Sequence, residues 1–126
     1  MDRPLIIYLH GFCSSPASWK SLLLTKEMAR RGLAERFVCP QLSTVPDEVA
    51  AGIGRLIEMA DGPVTLVGSS LGGHYANHLA ETHDVNAVLI NPAAVDRLDA
   101  AKFVGEHANF QTGECFTFTA AHAAQL

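Results

Sequence analysis

The sequence predicts an α/β fold with a doubly wound parallel sheet, because short apolar runs alternate with longer segments of helical periodicity. Each short run is apolar throughout, which is typical of a strand buried on both faces of a parallel sheet. Strands that alternate with helices require right-handed crossovers, and these crossovers place helices on both faces of the sheet. We therefore expect a β-α-β-α-β-α-β-α order.

The predicted elements follow one another with short breaks. The predicted strands are Leu5–Leu9, Arg36–Cys39, Val64–Val67 and Ala87–Ile90. The predicted helices are Ser18–Arg31 before Gly32, a helix that opens at Pro46, Leu71–Thr82, and a weaker helix from about Val95 to Val104. The first of them has an apolar stripe that includes Trp19, Leu22 and Leu23. After Gly105 the pattern weakens, and it indicates a turn at Gln111–Glu114, a short strand at Cys115–Thr119 and a helical start at Ala120–Leu126.

Composition is typical of a globular protein. Hydrophobic residues make up 48% of the chain and charged residues 17%, and the formal charge is −4 with a pI near 5.8. The cations form no stripe, so nucleic acid is not expected as a partner. No apolar run is long enough to cross a bilayer and the start lacks the pattern of a signal peptide. We therefore expect a cytoplasmic protein without a membrane partner.

No metal or other cofactor is expected. None of the three cysteines belongs to a C-x-x-C pair, so we interpret them as reduced thiols. Cys13 has two interpretations: an inert thiol, or a reactive one whose pKa is lowered by a helix dipole or by His10. His74 and His78 have the i,i+4 spacing of a metal-binding pair, but no Glu lies between them and no third ligand is evident.

The pattern G-x-S-x-G occurs at Gly68–Gly72, after the third predicted strand and at the start of the helix that follows. This motif requires a strand before the serine and a helix after it, because the serine stands on a tight turn between them. Side chains at Gly68 and Gly72 would collide with the backbone of such a turn. Ser70 is then left pointing out of the carboxyl edge of the sheet, as a candidate nucleophile. The alternative is an ordinary serine in a glycine-rich turn.

A second glycine turn, His10-Gly11-Phe12, directly follows the first predicted strand. In a doubly wound sheet with strand order 2-1-3-4, the loops after strands one and three flank the ligand crevice. We therefore expect the loop at Gly11 to face Ser70. Acyl transfer needs two backbone donors aimed at the developing oxyanion, and the N–H groups of Phe12 and Leu71 are the candidates. A plain β-turn after the strand is the alternative.

With both loops placed, the chain resembles the YqiA-like esterases, a small lidless branch of the α/β-hydrolase superfamily. The matching segments are His10–Pro16, Pro40–Leu42, Val67–Gly73 and Asn91–Ala93, with weaker similarity at Thr112–Glu114 and His122. The resemblance implies a partial α/β-hydrolase fold in which Ser70 is the nucleophile and Phe12 and Leu71 supply the oxyanion hole, with Gly11 and His10 in the substrate-binding loop. The substrates it implies are short to medium acyl esters or thioesters.

The resemblance covers the N-terminal part of the family's length, so we expect residues 1–126 to form a single, C-terminally incomplete α/β-hydrolase domain. In this superfamily the acid and the base follow the serine. Asp96 is the local substitute for the acid, and the histidines that could serve as base are His122, the best of them, and His74, His78, His83 and His107. Because none of these residues fits well, we expect a truncated and weakly active serine hydrolase.

Two other functions stay open at this point. The first is a non-catalytic module that holds an anion such as phosphate at the Gly68–Gly73 turn and helix N-terminus, although the Lys of a P-loop is absent. The second is an inactive fragment, since an open sheet edge at the fourth predicted strand would favour self-association.

Overall fold

The structure, a computed structural model, describes residues 3–92 and 100–126, and its main feature is a four-stranded parallel sheet. The strands are β1 Leu5–Leu9, β2 Phe37–Val38, β3 Val64–Ser69 and β4 Asn86–Ile90. Their order across the sheet is β2-β1-β3-β4, and each neighbouring pair is parallel. The predicted doubly wound α/β fold and its strand order are confirmed.

Three longer helices connect these strands, namely α1 Trp19–Arg30, α2 Pro46–Met59 and α3 Leu71–Thr82. The chain leaves α1 through Gly32, whose φ of 73° belongs to the left-handed region that glycine adopts without strain. The weaker helix predicted after β4 falls partly on residues 93–99, which lie outside the described residues. Its remaining part is a short 3-10 helix at Ala100–Phe103, not an α-helix.

The core lies between the sheet and the layer formed by α2 and α3. Side chains alternate between the two faces of a strand, so Ile7 and Leu9 of β1 point into this layer together, and both are fully buried. Leu66 of β3 lies beside them and is also fully buried. The apolar stripe of α2 closes this core with Val49 and Ile53.

On the opposite face of the sheet, the apolar stripe predicted for α1 does not form the cover. Tyr8 alternates with its neighbours in β1 and is buried there, while Ser21 of α1 donates a hydrogen bond to Sγ of Cys39 at 2.9 Å. The apolar stripe of α1 is exposed, with 70% of Trp19, 54% of Leu22 and 56% of Leu23 accessible. Spacing identifies an apolar stripe but does not identify the neighbour that would cover it.

The last described segment forms a hairpin followed by a short helix. Strand β5 Gly105–Ala108 pairs antiparallel with β6 Cys115–Phe118, and α4 Ala120–Ala124 follows. The sequence predicts the turn, β6 and α4 but misses β5, where His107 pairs with Phe116. His107, for which the sequence pattern predicts no strand, therefore lies in one. The sequence pattern predicts β6 but not β5, because Gly105–Ala108 has no apolar alternation.

Candidate active site

Ser70 occupies the elbow between β3 and α3. Its backbone has φ 56° and ψ −119°, a conformation that non-glycine residues rarely adopt. The side chain is exposed and makes no capping hydrogen bond to α3, and the Ser70 N–H donates to the carbonyl of Ile90 at the end of β4, at 3.1 Å. The backbone is thus held while the hydroxyl stays accessible.

The glycines around Ser70 are required by close backbone approaches. A Cβ on Gly68 would collide with the carbonyl of Gly72, and a Cβ on Gly72 would collide with the carbonyl of Leu9 at the end of β1. A Cβ on Gly73 would lie 2.8 Å from Cβ of Pro92, which is also too close. The spacing of the G-x-S-x-G pattern therefore has a steric cause in this fold, and α3 packs directly against the strand ends.

The two glycine turns lie at the same edge of the sheet. Leu9 of β1 is in register with Gly68 of β3, so the loops after these strands leave the sheet side by side. A Cβ built on Gly11 would lie 3.4 Å from Cβ and 3.8 Å from Oγ of Ser70. No described residue accepts a hydrogen bond from the N–H of Phe12 or of Leu71. Among the described residues, nothing competes with a ligand oxygen for these two amides.

His10 anchors the first glycine turn and is only 4% exposed. Its Nε2 accepts a hydrogen bond from the N–H of Leu42 at 2.9 Å, so the proton of the neutral ring is on Nδ1, which donates to the carbonyl of Gly11 at 3.0 Å. Burial lowers the pKa of His10, and the bond to Gly11 only partly opposes this effect. The ring is therefore a neutral structural link between two loops.

A cavity of about 320 Å³ opens beside this turn. Gly11, Phe12 and Leu71 belong to its wall, whereas Ser70 does not. Its apolar side includes Leu42, Tyr75, Phe116 and Phe118, and its polar side includes Gln41, Ser43, Asn109 and Glu114. Burial raises the pKa of Tyr75, so the phenol stays protonated and cannot act as a base. A mainly apolar cavity with a few polar groups suits a small organic ligand.

The ring of Phe12 connects this loop to the hairpin. Its centroid lies 4.9 Å from that of His107, and the rings meet edge to face. Three phenylalanine rings surround it at centroid distances of 5.3 to 5.7 Å, those of Phe103, Phe116 and Phe118. Aromatic pairs at such distances are favourable, so the position of the loop depends on the hairpin.

The histidines predicted as candidate bases make other contacts. Nε2 of His107 donates to the carbonyl of Phe103 at 2.6 Å, and Nδ1 of His122 accepts from the N–H of Thr119 at 3.1 Å as part of a capping box. His83 packs against Gly54 of α2, and His78 is exposed on α3. His74 is half-buried with its ring 5.8 Å from that of Tyr75. Asp96 lies outside the described residues.

Cys13 lies within the first glycine turn in an unusual conformation. Its φ is 59°, in the left-handed region, and its side chain is half-buried. Burial raises the pKa of the Cys13 thiol. The direction is opposite to that required for a reactive thiol activated by a dipole or by His10, so this interpretation of Cys13 is not supported.

Metal-ligating clusters and membrane-spanning helices would each point to a different function. Within residues 3–92 and 100–126, His, Cys, Asp and Glu form no group of three or more that could hold a metal ion. The same residues contain no helix with the length and apolar character needed to span a membrane.

The fold and the elbow together define the class of protein. A parallel sheet ordered 2-1-3-4, with a glycine-flanked serine at the carboxyl end of β3, is the arrangement of an α/β-hydrolase core. The chain matches the profile of the uncharacterised protein family UPF0227 over residues 5–126 and belongs to that family. This is the YqiA-like family, esterase-like within the α/β-hydrolase superfamily, so the resemblance found in the sequence is confirmed.

Sequence reasoning missed several residues that shape this site. Gln41 and Asn109 both donate to the carbonyl of Ser14, at 3.3 and 2.7 Å. Gln41 lies in the matched segment Pro40–Leu42, which gave a local signal. Asn109 is 95 residues from its partner, so no local pattern could have identified the contact.

Proposed function

We propose that this chain is a serine esterase that acts on short to medium acyl esters or thioesters through an acyl-enzyme at Ser70. The main support is the position of Gly11, where an added Cβ would lie 3.8 Å from Oγ of Ser70. This distance means that an acyl carbonyl bound at the hydroxyl would also meet the first glycine turn. Membership of an esterase-like family supports the same assignment.

In the proposed reaction, Oγ of Ser70 attacks the acyl carbon and its proton passes to a base. The carbonyl oxygen becomes negative, and the N–H groups of Phe12 and Leu71 are the donors available to it. The position of Leu71 at the start of α3 adds a favourable dipole for this charge. The alcohol or thiol leaves with a proton, and water then hydrolyses the acyl-enzyme.

We expect slow turnover by this chain because the histidines that could serve as the general base are engaged in other contacts or lie far from Ser70. His10, His83, His107 and His122 make the contacts described above, and His78 lies more than two turns along α3 from Ser70. Acylation without a positioned base loses roughly a hundred- to ten-thousand-fold in rate. Hydrolysis of 4-nitrophenyl butyrate at the rate of an intact esterase would contradict this expectation.

The decisive experiment is labelling with a fluorophosphonate, which forms a bond to an activated serine. Labelling of the wild-type protein is expected, with the mass increase on the peptide that contains Ser70, and Ser70→Ala should abolish it. Ser18→Ala is the matched control, since Ser18 precedes α1 and makes no side-chain capping bond. Labelling that survives in Ser70→Ala would refute the proposal.

An anion-binding module is the competing function, and one feature favours it. The N–H of Leu71 lies at the N-terminus of a twelve-residue helix, where an anion is stabilised. Calorimetric binding of inorganic phosphate, together with no fluorophosphonate labelling, would support this function over the esterase.

A further inference from the structure

The turn of the β5–β6 hairpin contacts the loop that carries the proposed oxyanion donor Phe12. The N–H of Phe110 donates to the carbonyl of Cys13 at 2.8 Å. The hydroxyl of Ser15, which is 2% exposed, donates to Oε1 of Gln111 at 3.1 Å. The hairpin turn therefore holds the segment after Phe12 at two residues, Cys13 and Ser15.

Asn109 makes the shortest of these contacts. Its Oδ1 accepts from the N–H groups of Gln111 and Thr112, at 2.9 and 3.1 Å. Because both partners are donors, the oxygen of the amide must face them, and this fixes Nδ2 on the other side. Nδ2 donates to the carbonyl of Ser14 at 2.7 Å. One side chain thus shapes the hairpin turn and binds the loop.

Apart from the His10 bonds and the ring contacts of Phe12, the backbone of this loop has few other polar restraints among the described residues. The N–H of Ser14 donates to the carbonyl of Gly11 at 3.2 Å, and Gln41 donates to the carbonyl of Ser14 at the longer distance of 3.3 Å. Cys13 is held in a left-handed conformation with φ 59°, which is strained for a non-glycine residue. A strained turn persists only when surrounding contacts enforce it, and the Asn109 bond is one of them.

We propose that Asn109 is a positioning residue, which fixes the direction of the Phe12 N–H by holding the carbonyl of Ser14. The inference rests on the proposed function, since it assigns a role within the same oxyanion site. Asn109 makes no hydrogen bond to Ser70 among the described residues, and its bond to the Ser14 carbonyl acts on the Phe12 amide through the loop.

The test compares two variants that introduce the same charge in the same turn. Asn109→Asp keeps the oxygen that accepts from Gln111 and Thr112 but replaces the Nδ2 donor with an oxygen facing the Ser14 carbonyl. Gln111→Glu keeps the oxygen that accepts from Ser15, so it controls for the added charge. Fluorophosphonate labelling of Ser70 is measured over a range of probe concentrations, which separates kinact from KI, and thermal unfolding is followed in parallel.

We expect Asn109→Asp to lower kinact by about ten-fold with KI little changed, because a misdirected donor weakens stabilisation of the developing charge. Gln111→Glu should stay within about two-fold of wild type, since exposed charges interact weakly. An unchanged kinact in Asn109→Asp at an unchanged melting temperature would overturn the proposal.

Hydrogen exchange provides a readout that does not depend on chemistry at Ser70. Amides of residues 11–15 should exchange faster in Asn109→Asp than in wild type or Gln111→Glu, while those of β3 should not. If wild-type Ser70 is not labelled at all, the esterase proposal fails and the exchange result alone decides whether Asn109 positions the loop. Equal exchange of residues 11–15 in all three proteins would overturn the positioning role.

Discussion

Gly72 lies directly against the carbonyl of Leu9, and a Cβ on Gly72 would overlap that carbonyl. This contact brings the first turn of α3 onto the end of β1, at the edge where the parallel register of β1 and β3 already places Ser70 and the Gly11 turn together. The arrangement of the site therefore depends on a backbone-to-backbone contact with no space for a methyl group.

Gly72→Ala should destabilise the protein by about 3 kcal/mol or more, because neither backbone segment can move without displacing a buried strand. Urea unfolding measures the change. Gly52→Ala is the matched control. Gly52 lies inside α2, and a Cβ built there would come no closer than 4.0 Å, to Arg55 Nη2, outside the backbone of the helix, so alanine should stabilise by about 0.5–1 kcal/mol. Similar stabilities for the two variants would contradict the steric argument.

Ser70→Gly should be more stable than Ser70→Ala by about 1–2 kcal/mol. The φ of 56° at Ser70 is strained for any residue with a Cβ, and glycine removes the strain, although its greater freedom in the unfolded chain offsets part of the gain. Both variants lack the hydroxyl, so the comparison isolates the backbone. Equal urea midpoints at equal slopes would show that the elbow stores no strain.

The stability of the protein should fall as the pH decreases below about 6.5, in part because of His10. Burial makes the pKa of His10 lower in the folded protein than in the unfolded chain, so the unfolded chain binds more protons below that pH. This contribution is fully present above the unfolded pKa and is lost as the pH falls toward the folded one.

The pH dependence is tested by urea unfolding between about pH 7 and 5, with His10→Gln as the variant. Glutamine retains an acceptor for the N–H of Leu42 but does not titrate, so the decrease should be smaller than in wild type. His78→Gln removes an exposed histidine of α3 and should leave the decrease as in wild type. If the free energy of unfolding of His10→Gln decreases with pH as steeply as that of wild type, His10 is not the source of the pH dependence.

Iodoacetamide should modify Cys115 first and Cys13 about ten-fold more slowly. Cys115 is exposed, whereas Cys13 is half-buried and burial raises its pKa, so little thiolate is present at neutral pH. Peptide mass spectrometry at a series of times measures both rates. Cys115→Ser should remove the fast phase alone, and preferential labelling of Cys13 would restore the reactive-thiol interpretation.

We propose that the protein self-associates through β4, one of the two outer strands of the described parallel sheet. Val88 and Leu89 of this strand are 48% and 40% exposed, and an outer strand with apolar side chains can pair with another chain. Val88→Lys should lower the weight-average mass in sedimentation equilibrium. Met59→Lys, at an 80% exposed position at the end of α2, is the control and should leave the mass unchanged.

The sequence was most informative where local pattern and geometry coincide. Strand β1 and helix α3 have the predicted bounds because an unbroken apolar run and a glycine-rich junction each determine a local structure. Strand β2 is shorter than predicted, since only Phe37 and Val38 pair with β1. The exposed stripe of α1 and the unpredicted β5 show the limit, because both depend on contacts with distant residues.

In the candidate site, too, the features set by local sequence were predicted and those set by distant residues were not. The turns at Gly11 and Ser70 were predicted to face each other, and the structure brings them together. The ring contacts of Phe12 and the amide contact of Asn109 were not predicted, because they join residues about 90 or more positions apart. Whether Phe12, Leu71 and His10 have the predicted roles stays a prediction for the labelling experiments.

The hydrogen bonds between the hairpin turn and the Cys13–Ser15 segment have a consequence for biosynthesis. A chain is made from its N-terminus, so β1, β3 and the serine turn can assemble before Asn109 and Phe118 leave the ribosome. In the proposed positioning role of Asn109, the amide of Phe12 is directed only when those late residues arrive and close a loop of about a hundred residues. A nascent chain stalled before the hairpin should thus contain an ordered sheet but an unfinished oxyanion site.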